Sequence, residues 1–345
     1  MRFWVVVLRT IRLWENTGRV MMRKRLFFIN FFLLFLIMGL AAEDDVAFKR
    51  MGSIIKNIGT RVLFINLKEC TGRLDCMLAL SEKMDLPMER IEACNVDDVV
   101  EMRPEWVVLM KDMYYRELIT RMRCCAATMS HYKAIERGID SGAPIVLILE
   151  DDICLPDSDL EVCCEAFKQA MDELERIDAN WDLVYLGAFL MGKKEGKVFE
   201  QKITEHLTRP LCFFGAFGIL YSRNGLLKTK AVLDAYVAER VKLYERQHGV
   251  SYLEEQIAIL RREAAQLRVL PNEAKKKFVS TIKANNDGWE VQCFDAFLCN
   301  QQRHNKLNMY AVNPFFIGQI PTYSAVLGRM VHYDDITYLG CHRRL

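Results

Sequence analysis

Short apolar runs alternate with amphipathic stretches along the chain from about residue 60 to residue 230. Strands are predicted where apolar residues follow one another or are punctuated by glycine, at 61–67, 91–95, 145–149, 181–187 and 212–225. Helices are predicted where apolar residues recur three or four positions apart, at 69–84, 125–141 and 159–177. The run Ile145–Leu149 has no polar position, which is typical of a strand buried on both faces. This alternation predicts an α/β domain.

The pattern changes between residues 226 and 284. The stretch YLEEQIAILRREAAQLRVL is rich in charges, and its apolar residues recur at helical spacing: Leu253, Ile257, Leu260, Ala264 and Leu267. It predicts a charged helical insertion at about 230–285, with its charges on a solvated face.

The N-terminus has a different character. Arg23, Lys24 and Arg25 precede an apolar run at 26–42, and acidic residues follow it. The run has the features of a signal-anchor or signal peptide, and the charge asymmetry predicts a cytoplasmic N-terminus. A buried N-terminal helix is the alternative. We therefore expect a leader at 1–45 and a globular domain at 58–345.

Composition narrows the class of protein. Of 345 residues, 51% are hydrophobic and 27% charged, which suits a globular protein with a full core. The net charge of +2 gives no basis for a nucleic-acid partner. The 12 cysteines include no CxxC pair, which argues against a zinc ribbon or a thioredoxin-like site. Some form disulfides in an oxidising lumen, or most are small buried hydrophobes; composition leaves both open.

Three carboxylates, Glu150, Asp151 and Asp152, follow the buried strand. The carboxyl ends of strands are where open α/β sheets bind ligands. If the extended backbone continues, Glu150 and Asp152 point to one side and Asp151 to the other. Two carboxylates on one side suit Mg²⁺ or Mn²⁺, particularly with a diphosphate as co-ligand. The alternative is an exposed turn or a helix start, because acids also favour helix N-termini.

Several motifs, taken in order, resemble glycosyltransferase family 25, the family of bacterial lipooligosaccharide galactosyltransferases and collagen galactosyltransferases. VLFINLKECTGRLDCM is similar to the opening strand and loop of the family, and ATMSHYKAIERGIDSGAPIVLILEDDI to its Ser-His helix and LEDD strand. WDLVYLG, GAFGILYSRNGLLK, VQCFDAFL and NPFFIGQIPTYSAV are similar to later segments, the last through Pro314, Gln319 and Ser324. The resemblance covers about residues 61–330, and the long helical stretch before Asp295 departs from the family pattern.

The resemblance implies that the domain at 58–345 has a GT-A-like fold, a Rossmann-like nucleotide-sugar-binding sheet flanked by helices with a helical insertion. It also implies a UDP-sugar donor, Mn²⁺ or Mg²⁺ as cofactor, and inverting transfer of a hexose, galactose foremost. The acceptor is a hydroxyl of a glycan, a lipid-linked saccharide such as lipooligosaccharide, or a protein.

Individual roles follow from the chemistry and the resemblance. Metal ligands are expected at Glu150, Asp152 and His332, and the catalytic base at Asp295. Donor-site contacts or support are expected from five residues: Asn66, Arg73, Ser130, His131 and Asp151. Local explanations stay open for several of them. Asn66 is also suited to a turn, Arg73 to an exposed surface, the Ser-His pair to backbone hydrogen bonds, and Asp295 to a helix cap.

Two other functions compete with this interpretation. A nucleotidyltransferase would use similar acids, but no glycine-rich phosphate loop is found. A membrane-anchored GT-A-fold binding protein without activity is the alternative from another class. The predicted location is membrane-associated or in the secretory lumen, as a single-pass type II or cleaved-signal protein, with the cytoplasmic face of a membrane as the alternative.

Overall fold

The computed structural model describes residues 46–110, 118–155, 160–190, 200–210, 213–271, 274, 278, 293–319, 322–324 and 329–331. The chain divides into compact units at 1–48 and 49–345, and every element named below belongs to the second. The predicted leader and its apolar run at 26–42 lie outside the described residues. Across the residues that are described, no helix has both the length and the apolar character to cross a membrane.

Strands and helices alternate as the sequence predicts. The strands are β1 Thr60–Asn66, β2 Met88–Glu92, β3 Ile145–Glu150, β4 Ile153–Cys154, β5 Leu183–Leu190, β6 Glu200–Lys202, β7 Leu207–Pro210, β8 Phe213–Ser222, β9 Met309–Val312, β10 Gly318–Gln319, β11 Thr322–Ser324 and β12 Arg329–Val331. The helices are α1 Thr71–Lys83, α2 Val96–Met102, α3 Pro104–Leu109, α4 Leu118–Asp140, α5 Leu160–Ile177, α6 Arg223–His248, α7 Val250–Val269 and α8 Phe294–Arg303.

Eight strands form one mixed sheet in the order β2-β1-β3-β8-β5-β9-β7-β6. The pairs β1/β2, β1/β3 and β5/β9 are parallel. Strand β8 runs antiparallel to both of its neighbours, β3 and β5, and the pairs β6/β7 and β7/β9 are also antiparallel. The prediction of an α/β fold, a large sheet flanked by helices, is confirmed. Two further pairs, β4/β10 and β11/β12, lie outside this sheet.

The centre of the sheet is apolar because β3 contributes only aliphatic side chains there. Val146, Leu147, Ile148 and Leu149 are at most 2% exposed, as expected for a strand covered on both faces. Helix α4, 23 residues long, packs against β1, β2 and β3, and residues 118–131 of it are buried or half-buried on every side. Six cysteines take part in these buried layers as small apolar side chains: Cys94, Cys124, Cys125, Cys163, Cys164 and Cys299.

Helices α6 and α7 occupy much of the region for which a charged helical insertion was predicted. Helix α6 begins after β8, where the Ser222 side chain accepts a hydrogen bond from the Gly225 N–H at 2.9 Å. Helix α7 buries Leu253, Leu260 and Leu267, which are seven residues apart and therefore share one face. Helix α7 packs against α3 and α6. The charged residues of α6 and α7 lie mostly on their exposed sides.

Candidate functional site

The polar site forms where two neighbouring parallel strands end. Ile65 of β1 lies opposite Glu150 of β3, so Asn66 and the residues after Glu150 emerge at the same edge of the sheet. Helix α1 follows β1, and it brings Arg73 to this edge. The adjacency of β1 and β3 therefore explains how side chains about 80 positions apart in sequence come together.

Asp151 is held by the first strand–helix unit. Its Oδ2 accepts a hydrogen bond from Asn66 Nδ2 at 2.7 Å, and its Oδ1 accepts one from Arg73 Nη1 at 2.8 Å. The Asn66 amide also donates to the Cys70 carbonyl oxygen at 3.1 Å, which closes the loop between β1 and α1. Asn66 and Asp151 are both buried. The Asn66–Arg73–Asp151 cluster therefore fixes the turn after β3 to the start of the domain.

Asp152 lies in the same turn but has different partners. Strand β3 ends at Glu150, and Asp151 and Asp152 form a turn before β4, so strand alternation does not extend to them. Asp152 Oδ1 accepts a hydrogen bond from Gln319 Nε2 at 2.9 Å, and Arg73 Nη1 lies 3.5 Å from Oδ2. Burial, and then the negative charge of Glu150, raise the pKa of Asp152 to about 7, although Gln319 and Arg73 act in the opposite direction.

Glu150 is the most exposed acid of the three, with 31% of its side chain accessible. Its Oε1 lies 3.1 Å from His131 Nε2, and the ring of His131 is buried on α4. The His131 ring stacks on Phe294 of α8, with centroids 4.6 Å apart and 10° between the planes. This stack fixes the imidazole, and the imidazole in turn orients the Glu150 carboxylate.

The Ser130 side chain forms hydrogen bonds with backbone groups and has no described contact with the acids. Its Oγ donates to the Ala126 carbonyl at 2.7 Å and accepts from the Cys94 N–H at 2.8 Å. The residue joins α4 to the segment that follows β2. Of the predicted Ser-His pair, His131 alone touches an acid among the described contacts.

Asp295 lies in the first turn of α8, next to the residue that stacks on His131. Its Oδ1 accepts hydrogen bonds from the Ala296 N–H at 2.7 Å and from the Cys293 thiol at 3.0 Å. Its Oδ2 accepts one from the Gly215 N–H at 3.2 Å. The carboxylate is therefore firmly oriented, and Oδ2 has capacity for another hydrogen-bond donor.

The structure brings six predicted residues into one connected set: Asn66, Arg73, His131, Glu150, Asp151 and Asp152. Asp295 joins them through Phe294, and His332 lies outside the described residues. Within the described parts of the chain, no group of three or more His, Cys, Asp or Glu side chains is arranged to hold a metal ion.

Two contributors were missed as functional residues by sequence reasoning. Gln319 contacts Asp152, 167 positions away in sequence, and the ring of Phe294 stacks on that of His131. Gln319 stands within the NPFFIGQIPTYSAV segment, and Phe294 precedes the predicted base, but no local pattern predicts either contact.

Comparison with known proteins places this site in a family. Residues 60–213 match the family described as Glycosyltransferase family 25 (LPS biosynthesis protein). No curated protein matches the chain. A solved structure with some similarity is mannose-1-phosphate geranyltransferase from Thermus thermophilus, at 11% identity and a TM-score of 0.32, covering 75% of this chain and 76% of that one. The match over residues 60–213, which includes β1, β3 and all three acids, is to glycosyltransferase family 25, and it supports a glycosyltransferase.

Proposed function

We propose that the protein transfers a hexose, galactose foremost, from a UDP-sugar to a hydroxyl of a glycan, lipid-linked saccharide or protein, with inversion and with the help of a divalent cation. One observation carries this proposal. Glu150 and Asp152 repel each other at the carboxyl end of a central strand in a glycosyltransferase domain, with Asp152 almost fully buried. Such a pair of carboxylates costs free energy unless a cation or a proton is bound there.

The chemistry of two described carboxylates, Glu150 and Asp152, suits Mg²⁺ or Mn²⁺. Both carboxylates offer hard oxygen ligands, which these ions prefer. Asp152 is oriented by Gln319 and Glu150 by His131, so each ligand has the outer partner that metal-binding carboxylates usually have. We propose Glu150 and Asp152 as ligands, with His332 as a further candidate and the donor diphosphate supplying other oxygens. When bound, the cation would neutralise charge on the departing diphosphate.

Asn66 and Arg73 support the donor site by holding Asp151. Their hydrogen bonds fix the turn that carries the acids, so their effect on the donor passes through the position of Asp152 and the loop between β1 and α1. Arg73 also supplies a positive charge 3.5 Å from Asp152. Asp151, with both oxygens engaged, is an anchor of the turn in this proposal.

Asp295 is our candidate for the general base. It follows Phe294, which stacks on His131, and in this proposal its Oδ2 takes the proton of the acceptor hydroxyl. The hydroxyl oxygen then attacks the anomeric carbon as the bond to the diphosphate breaks. A single displacement on the face opposite the leaving group gives inversion.

We further propose that the protein is held at a membrane or in the secretory lumen by the apolar run at 26–42. The basic residues before the run and the acids after it support a cytoplasmic N-terminus. The cytoplasmic face of a membrane is the alternative. Fusion of residues 1–45 to a reporter, with protease protection in isolated vesicles, distinguishes the two orientations.

A donor screen tests the transferase proposal. Protein starting near Glu43 is incubated with Mn²⁺ and UDP-galactose, UDP-glucose or other nucleotide sugars, and the release of the nucleotide is measured. We expect turnover of UDP-galactose above the others, and NMR of the product with a hydroxyl acceptor should give the inverted anomer. Absence of turnover with every donor contradicts the proposal, and a retained anomer contradicts the single displacement.

A further inference from the structure

We propose that Gln319 is a positioning residue of the donor site: it holds Asp152 in the orientation in which that carboxylate binds a divalent cation. The inference rests on the proposed function and extends it to a residue beyond the family-matched segment at 60–213. It starts from one contact, the hydrogen bond of 2.9 Å from Gln319 Nε2 to Asp152 Oδ1.

Because Asp152 lies in a turn after β3, no strand pairing sets the direction of its side chain. Its neighbour Asp151 takes the short hydrogen bonds from Asn66 and Arg73, and Arg73 is 3.5 Å from Asp152. Among the described contacts, the Gln319 amide thus donates the one hydrogen bond to the Asp152 carboxylate that is shorter than 3.5 Å.

Gln319 is held in place by a short pair of strands. Its strand, β10, pairs antiparallel with β4, the strand that follows the acids, and Gln319 lies opposite Ile153. The backbone of Gln319 is therefore tied to the residue directly after Asp152. This short ladder holds the Gln319 amide close to the Asp152 carboxylate.

The segment before Gln319 is buried and hydrogen-bonded to β5. Phe315, Phe316 and Ile317 are at most 3% exposed, and the N–H groups of Phe316 and Ile317 donate to the Leu186 carbonyl at 3.2 Å each. Glycine at position 187 gives the segment room, because a Cβ there would lie 1.9 Å from the Ile317 carbonyl oxygen. The segment is thus seated on β5, and this seat delivers Gln319 to the acid turn.

Together these contacts make Asp152 the meeting point of two parts of the chain. Arg73 approaches it from the start of the domain and Gln319 from near its end. With Oδ1 engaged by a neutral donor, Oδ2, which lies 3.5 Å from Arg73 Nη1, is the oxygen that would bind the cation. An amide suits this position because it donates a hydrogen bond without adding a charge that competes with the cation.

The test compares Gln319→Met with Gln169→Met. Methionine keeps the length of the side chain but removes the N–H donor. Gln169 Nε2 also donates to a carboxylate, Glu165 Oε1 at 3.0 Å, but on α5 and away from the acids, so it is a matched control. Mn²⁺ binding is measured by electron paramagnetic resonance in the presence of UDP, and the melting temperature is measured in parallel without metal.

We expect Gln319→Met to weaken Mn²⁺ binding by about 10- to 100-fold, the range for loss of a partner of a metal ligand, while Gln169→Met leaves it unchanged. Wild-type Mn²⁺ affinity in Gln319→Met would overturn the inference and leave the proposed function intact. If the wild-type protein itself binds no Mn²⁺ with UDP, both fail. If Gln319→Met does not fold, Gln319→Asn, whose shorter amide falls short of Asp152, is measured in its place with the same two outcomes.

Discussion

Asp151 and Asp152 are adjacent in sequence, yet the Asp151 carboxylate is hydrogen-bonded to a cation, whereas the Asp152 carboxylate is buried near another carboxylate. Asp151 accepts two short hydrogen bonds, one from the Arg73 guanidinium. Asp152 is buried beside Glu150, and this burial and repulsion raise its pKa to about 7. The first residue stabilises the fold, and the second is under electrostatic strain that a bound cation would relieve.

Substitution of these two acids should therefore separate stability from function. We expect Asp151→Ala to lower the free energy of unfolding by about 1–3 kcal/mol, because the buried Asn66 amide and the half-buried Arg73 guanidinium both lose this acceptor. Asp152→Asn should not lower it at pH 8 without divalent ions, since the amide removes the repulsion with Glu150. Chemical denaturation at equal pH measures both, and equal destabilisation by the two would contradict the division.

Substitution of Asp295 tests its proposed role as the general base. If it is the base, Asp295→Asn should reduce kcat by about 10²- to 10⁴-fold, because the amide cannot take a proton from the acceptor hydroxyl. Donor affinity should change little, since Asp295 has no described contact with the three acids. Transfer kinetics with saturating donor measure this, and a kcat within about twofold of wild type would make Asp295 a helix-start residue only.

Among the elements, the segment at 313–319 near the end of the domain depends on a close approach at β5. Gly187 lies under the Ile317 carbonyl, at a point where the pairing of β5 with β8 is irregular. We expect Gly187→Ala to destabilise the protein by about 1–3 kcal/mol or more, because the new methyl group meets backbone on one side and the Phe217 ring on the other.

Gly72→Ala is the matched control for that substitution. Gly72 is on α1, and a Cβ there has no atom within 4 Å, so alanine should be neutral or stabilising by up to about 1 kcal/mol. Thermal unfolding of both variants gives the comparison. A Gly187→Ala protein as stable as Gly72→Ala would show that the segment at 313–319 is not seated as described.

A pH-dependent contact ties α5 to the turn between β6 and β7. Burial would raise the pKa of Glu173, but hydrogen bonds from Thr204 and His206 outweigh it and lower the pKa below its ordinary value of 4.5. Because the pKa of Glu173 is lower in the folded than in the unfolded protein, its contacts stabilise the fold at pH values above the unfolded-state pKa. This stabilisation is lost as the pH falls through the lower pKa of the folded state.

Glu173→Gln should therefore cost about 1–2 kcal/mol at pH 7 and less toward pH 3. Glu175→Gln, an exposed neighbour on the same helix, should cost little at either pH. Urea denaturation at the two pH values measures the difference. A cost for Glu173→Gln that is constant with pH would contradict the assignment of the shift.

The sequence predicts the elements of this fold better than their contacts. Strand β3 and helix α5 are found within one or two residues of the prediction, because an unbroken apolar run and a regular helical period are local signals. The strand predicted at 91–95 is displaced to Met88–Glu92, since a five-residue strand has too few positions to fix its boundaries. Strands β4 and β10, two residues each, have no pattern that a sequence could reveal.

The same contrast holds for the site. The acids after β3 were predictable because carboxylates at the end of a buried strand are conspicuous. The separation of Asp151 from Glu150 and Asp152 was also predicted, but the reason given for it, strand alternation, was wrong, because the strand ends at Glu150. The hydrogen bonds of Asp151 to Asn66 and Arg73 set it apart instead. The contact of Gln319 with Asp152 depends on the path of a segment 167 positions away, which no local pattern encodes.

At the scale of the whole molecule, the acid turn is held by contributions from distant parts of the chain. The first strand and helix hold Asp151, helices α4 and α8 orient Glu150 through His131 and Phe294, and the segment at 313–319 reaches Asp152. The family match ends at residue 213, so α8 and this segment lie beyond it. The site therefore requires the domain at least from β1 to β10.

The central claim is that the acids after β3 serve a metal-assisted transfer of a sugar. Its most direct test is the Mn²⁺-dependent hydrolysis of UDP-galactose by wild type, Asp152→Ala and Asp172→Ala, the last an exposed acid on α5. We predict hydrolysis that requires Mn²⁺ in wild type and Asp172→Ala and falls by at least about 100-fold in Asp152→Ala. Equal, metal-independent hydrolysis by all three proteins would contradict the claim.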